Sequence, residues 1–151
     1  MCMRKYGKIL FFLLAGFAVL TLRAEEITVK GSDIVIVAPD PAKSKIAYDT
    51  GKAALDLKEH LFLLTGADVP IVQKSVPGKY HFFLHTPDPA DKGKFDWGEA
   101  RWSITEKGIY FYGNPELVPR ATVMDSINSL YSFLEKDLSF HWIAPGKNGI
   151  V

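Results

Sequence analysis

Apolar and polar positions along this chain repeat with two periods, and the changes between them mark out the elements. Glu26 to Lys30, with Ile27 and Val29, and Ile34 to Val37 read as two short strands flanking the turn-forming trio Gly31-Ser32-Asp33. Pro39 and Pro41 end the second strand. Between about Tyr48 and Thr65 the apolar residues Ala54, Leu57, Leu61 and Leu64 recur at helical spacing, and Gly66 follows where a C-cap glycine belongs. Val69 to Val72 is a short extended piece. Tyr80 to His85 alternates Tyr80, Phe82 and Leu84 against His81, Phe83 and His85, the pattern of a strand buried on one or both faces. After a Pro-, Asp- and Lys-rich loop from Thr86 to about Gly98, Arg101 to Thr105 and Ile109 to Tyr112 form a hairpin through Glu106-Lys107-Gly108. A second helix runs from about Arg120 to Leu138 with Val123, Ile127, Leu130 and Leu134 on one stripe. Phe140 to Ala144 reads as a last strand before Pro145-Gly146. This order predicts an α/β (α+β) two-layer sandwich: a mixed, largely antiparallel sheet with two helices on one face.

Both helices carry a second apolar line. Leu55 and Phe62, seven apart, face away from the stripe of Ala54, Leu57 and Leu61, and Met124, Tyr131 and Leu138 repeat that spacing on the second helix. A helix covering one sheet face needs a single stripe, so these five residues are a candidate docking face. Scattered surface apolar residues are the alternative reading.

The first 24 residues change the picture of where this domain works. Basic Arg4, Lys5 and Lys8 precede a 14-residue apolar block, Ile9 to Leu22, and Thr21-Leu22-Arg23-Ala24 leads into Glu25-Glu26. That is the order of a secretory signal peptide, with cleavage expected after Ala24; the block is short of the roughly 20 residues a spanning helix needs. The expectation is a mature domain of residues 25–151, periplasmic or extracellular, with no stable membrane span. Cys2 lies in the leader and is not placed to become a lipid-modified N-terminus, so the mature chain has no cysteine. Of 18 basic residues four fall in the leader and none of the 17 acids does, which leaves 14 against 17, a balance of −3. Nothing in that balance suits a nucleic-acid partner.

Candidate chemistry is sparse. His81 and His85 lie on one side of a strand roughly 13 Å apart, too far to share a zinc. Asp88, Asp91, Asp96 and Glu99 share one loop but lack a calcium-loop spacing, and Lys92 and Lys94 interrupt them. Glycoside cleavage needs two carboxyl groups held roughly 5–9.5 Å apart on rigid elements, which a Pro- and Gly-interrupted loop does not assure. No serine sits in a Gly-x-Ser-x-Gly elbow and no Gly-rich run precedes a helix. No catalytic residue, cofactor or metal ligand is therefore assigned. Trp97, Trp102, Tyr110 and Tyr112, with Trp142, could stack on sugar rings, with core and interface packing as the other reading.

Two segments carry a family resemblance. One is Lys52-Ala53-Ala54-Leu55-Asp56-Leu57-Lys58-Glu59-His60-Leu61 leading to Leu64-Thr65-Gly66-Ala67-Asp68-Val69-Pro70-Ile71; the other is Leu130-Tyr131-Ser132-Phe133-Leu134-Glu135 leading to Phe140-His141-Trp142-Ile143-Ala144-Pro145-Gly146. With the hairpin Trp102 to Gly113 between them, the chain resembles the N-terminal domain of bacterial glycoside hydrolases of the α-glucuronidase type, a fold similar to the second domain of β-hexosaminidases. Family members commonly have a glycine-bearing turn where this chain reads Pro119-Arg120-Ala121-Thr122, and a glycine near Ser139. The resemblance implies that the catalytic carboxylates lie on a barrel domain following this one, against which the helical layer packs. The expectation is thus a non-catalytic accessory domain of an exported carbohydrate-degrading enzyme, seen as a partial chain; a stand-alone secreted carbohydrate-binding module is the alternative.

Overall fold

The elements predicted between Ile27 and Leu138 form, with local chemistry setting their ends. The computed structural model describes residues 10–14, 17–22 and 27–140. Strand β3 covers Ile27–Lys30, a single 3-10 turn follows at Gly31–Asp33, and β4 covers Ile34–Val37. Helix α1, Lys45–Thr65, begins before the apolar period does, because the Ser44 side chain accepts the Ala47 N–H at 3.0 Å and caps the first turn. Gly66 closes it as predicted, in the left-handed conformation. Then come β5 (Ile71–Val72), β6 (Tyr80–Leu84), β7 (Ala100–Thr105), β8 (Gly108–Gly113) and α2 (Pro119–Lys136). Pro119 occupies the first helical turn, where its fixed φ and missing N–H cost nothing. The expected last strand extends past Phe140 and, with Trp142, lies outside the described residues.

Five strands form one sheet in the order β5-β4-β6-β8-β7, with both helices on one face. The sandwich and the mixed sheet are as expected, but the balance of directions is not. β4 pairs parallel with β5 and with β6, and β6 pairs parallel with β8; only the β7–β8 hairpin is antiparallel. The connections decide this. α1 carries the chain from β4 back to the starting end for β5, and the long loop plus β7 does the same between β6 and β8, so strands joined by crossovers run the same way. The near-continuous burial of β4, β6 and β8 is the sequence signature of such central parallel strands.

The core lies between sheet and helices. Phe82, Phe111 and Phe133 meet at its centre, with Phe111 and Phe133 edge-to-face at 5.3 Å, and Ile34, Leu57 and Leu130 are fully enclosed around them. Gly113 marks where β8 meets α2: a Cβ there would stand 2.4 Å from Cβ of Asp125 and 2.6 Å from the Thr122 carbonyl oxygen, so only glycine permits this approach. Ser139 takes φ 59, the left-handed region that a residue with a Cβ seldom adopts.

The apolar block expected to be a leader forms a hairpin in the intact chain. β1 (Leu10–Leu14) pairs antiparallel with β2 (Phe17–Leu22), and β2 with β3, as a separate three-stranded sheet. Among the described residues no helix is long and apolar enough to cross a membrane. The expected cleavage point at Ala24 lies outside the described residues.

Candidate functional site

The helical layer presents an apolar line to its outer side. Ala53, Ala54, Leu57 and Leu61 of α1 are buried against the sheet, while Leu55 and Phe62 on the opposite side are 60% and 52% exposed. Tyr48, one heptad before Leu55, extends the line at 50% exposure, and Leu63 adds to it. The seven-residue spacing that picked out Leu55 and Phe62 could also have found Tyr48. On α2, Met124 is 46% exposed. Tyr131 is half-buried, and its hydroxyl donates to Asp56 Oδ2, bridging the two helices. Leu138 does not belong to this face. α2 ends at Lys136, the Leu138 N–H turns back to the Phe133 carbonyl at 3.2 Å, and the side chain is only 5% exposed within the core. Helical spacing places a residue only while the helix lasts.

The four aromatics proposed for sugar stacking form no common platform. In the β7–β8 hairpin Trp102 lies opposite Phe111, while Arg101 and Ser103 lie opposite Tyr112 and Tyr110. Trp102 thus points to the helix side, where it packs against the core, and the two tyrosines point to the outer face. Tyr110 is buried, stacked on Phe83 with ring centres 4.5 Å apart, and Tyr112 is buried beneath the loop that precedes β7. Of the four, only Trp97 offers a free ring, at 90% exposure.

That loop contains the acidic cluster, and Arg101 organises it. The guanidinium donates to both carboxylate oxygens of Glu99 at 2.8 Å, to Asp91 Oδ2 at 3.0 Å and to the Lys94 carbonyl, and it lies 3.9 Å over the Phe95 ring. Asp91 also accepts the Gly93 N–H at 2.9 Å and the Tyr112 hydroxyl at 2.8 Å. Burial alone would raise the Asp91 carboxyl, but these donors together bring it down to about 2. Bonds from Arg101 likewise hold Glu99 below the ordinary range, against a smaller desolvation effect. Asp88 accepts from Ser103 at 2.7 Å and from the Ala90 N–H at 2.9 Å. Carboxylates committed in this way fasten a loop to a sheet and are poorly disposed to accept or release a catalytic proton. A single residue, Arg101, was the available signal: it is the one basic side chain of β7 and follows the cluster directly.

The histidine pair is also engaged or displaced. His81 Nε2 accepts the Val76 N–H at 3.0 Å, which assigns the proton to Nδ1, facing the Lys107 carbonyl at 3.2 Å. His85 falls beyond β6 with φ 54, and burial lowers its pKa. Among the described residues no three His, Cys, Asp or Glu side chains gather as a metal site would require. A broad cleft of about 790 Å³ opens on the outer face beside Phe83, Tyr110 and His81, rimmed by Lys30, Lys79 and Lys107. Lys79 is paired with Asp33 at 3.1 Å.

No protein-family model, curated protein or solved structure matches this chain.

Proposed function

We propose that this chain is the exported, non-catalytic N-terminal accessory domain of a carbohydrate-degrading glycoside hydrolase, and that it docks through the outer side of its helical layer onto a separate catalytic barrel. The observation carrying this reading is the line Tyr48, Leu55 and Phe62, half or more exposed and opposite the core-facing side of α1. Three large apolar residues at heptad spacing on the solvent side of a helix, joined by Leu63 and Met124, suit burial against another surface. The commitment of Asp91 and Glu99 to Arg101 supports a domain that leaves the chemistry elsewhere. The basic-apolar-Ala order of residues 1–24 supports export.

Reading the genomic DNA downstream of codon 151 tests the reading. A barrel-coding region in frame or in the adjacent gene is expected; an immediate stop with no such region nearby counts against it. Given that barrel, Leu55→Lys with Phe62→Lys should abolish its co-purification with this domain.

A further inference from the structure

We infer that the loop before β7 is a glycan-anchoring site in which Trp97, held on a rigid turn, stacks on a pyranose ring. The turn is built for presentation. The Glu99 N–H donates to the Asp96 carbonyl at 3.2 Å, and the Glu99 carboxylate accepts the Asp96 N–H at 2.8 Å, so Asp96 to Glu99 is closed by two bonds. Gly98, φ 68, takes the left-handed conformation that lets Trp97 occupy the corner. Arg101 grips both oxygens of Glu99 and the Lys94 carbonyl, so the turn is fixed to β7 from below. Phe95, two residues earlier, turns inward under the guanidinium while Trp97 points to solvent. A backbone turn already fixed in the free protein leaves only the indole's own two side-chain torsions to be ordered on binding.

The surroundings favour a sugar over a protein partner. Protein interfaces place a tryptophan anchor at the centre of a contiguous apolar patch. Around Trp97 the exposed loop neighbours are Lys92, Lys94 and Asp96, and the other large exposed apolar side chains among the described residues lie on the helices, on β5 or just before α2. One flat apolar face within a polar rim matches a pyranose with equatorial hydroxyls, whose C–H face stacks while its hydroxyls meet charged and amide groups. Arg101, Tyr112 and Ser103, which hold this loop, lie on the sheet face away from the helices, so the site is independent of the docking face and its failure leaves that reading intact.

The test uses the full chain labelled with 5-fluorotryptophan and followed by fluorine NMR, the Trp97 resonance being assigned by its loss in Trp97→Phe. Cellohexaose and xylohexaose are titrated separately, alongside phosphatidylglycerol-containing vesicles. The expected result is a saturable shift of the Trp97 resonance with at least one oligosaccharide, a Kd on the order of 1 mM for a single stacked ring, and unmoved Trp102 and Trp142 resonances. Trp97→Ala, at a fully solvent-facing position, should leave the melting temperature unchanged and weaken binding about tenfold or more, while Trp97→Tyr retains most of it. No shift with either oligosaccharide, a shift with vesicles alone, or undiminished binding by Trp97→Ala overturns the proposal.

Discussion

The Tyr112 hydroxyl donates to Asp91 Oδ2 at 2.8 Å, joining the end of β8 to the loop that crosses the sheet's outer face. A sheet with three parallel pairings tends to be covered on both sides. Here one side has helices, and near β7 and β8 the other side has an ion-paired loop.

Arg101→Met should therefore destabilise strongly, because it leaves Asp91, whose side chain is 6% exposed, without its cation. The expected loss is about 2–4 kcal/mol by urea unfolding, against about 1 kcal/mol for Tyr112→Phe. Equal small losses for both variants would show that the loop is not clasped as described.

Two aspartates set opposite pH dependences. Asp91 is held down to about 2 in the folded chain against an ordinary 3.8, so it stabilises above pH 3.8 and that contribution disappears as pH falls toward 2. Asp137, at the end of α2, is pushed up to about 6 by burial, with Trp102 and Lys136 opposing; its folded state holds the proton, so stability falls as pH rises from 3.8 through 6. Thermal melts of Asp137→Asn between pH 4 and 7 should lose that decline and lie above the wild type at pH 7. An unchanged slope would remove Asp137 as its source.

Core and close-approach positions should respond by different mechanisms. Phe82→Ala empties the centre of the aromatic cluster and should cost about 3–5 kcal/mol. Gly113→Ala adds one carbon against Asp125 and the Thr122 carbonyl, forcing α2 away from β8, with an expected cost of about 1–3 kcal/mol. Calorimetric unfolding of both variants checks the pair.

Ser139→Gly should stabilise. The native φ of 59 strains a residue bearing a Cβ, and relief of that strain outweighs the greater freedom of glycine in the unfolded chain by about 0.5–1 kcal/mol. A lower denaturation midpoint for the glycine variant would contradict the assigned conformation.

Leu55→Lys with Phe62→Lys should change the stability of the isolated domain by less than about 0.5 kcal/mol, because neither side chain contributes to the core. Solubility should rise as the apolar line is broken. A large loss of stability would mean that these residues already pack against their own chain.

Much of the fold was legible because it is written locally. The period of Leu57, Leu61 and Leu64, the cap at Gly66 and the Glu106-Lys107-Gly108 turn each depend on residues within one or two turns of chain. The same locality made the outer line of Leu55 and Phe62 visible, and it misplaced Leu138, where the helix had already stopped. Periodicity states which residues share a face of an element; it does not state where the element ends or what lies across from it.

The sequence by itself determined the two helices, the strands β3 to β8, the β7–β8 hairpin and the exposed side of α1, since caps, turns and side-chain periods are short-range properties. Only the tertiary structure decided the parallel strand order, the separation of Trp102 from Tyr110 and Tyr112, and the capture of Asp91 by an arginine ten residues away. Those depend on how crossovers bring distant segments together, a choice governed by burial of the whole apolar surface at once.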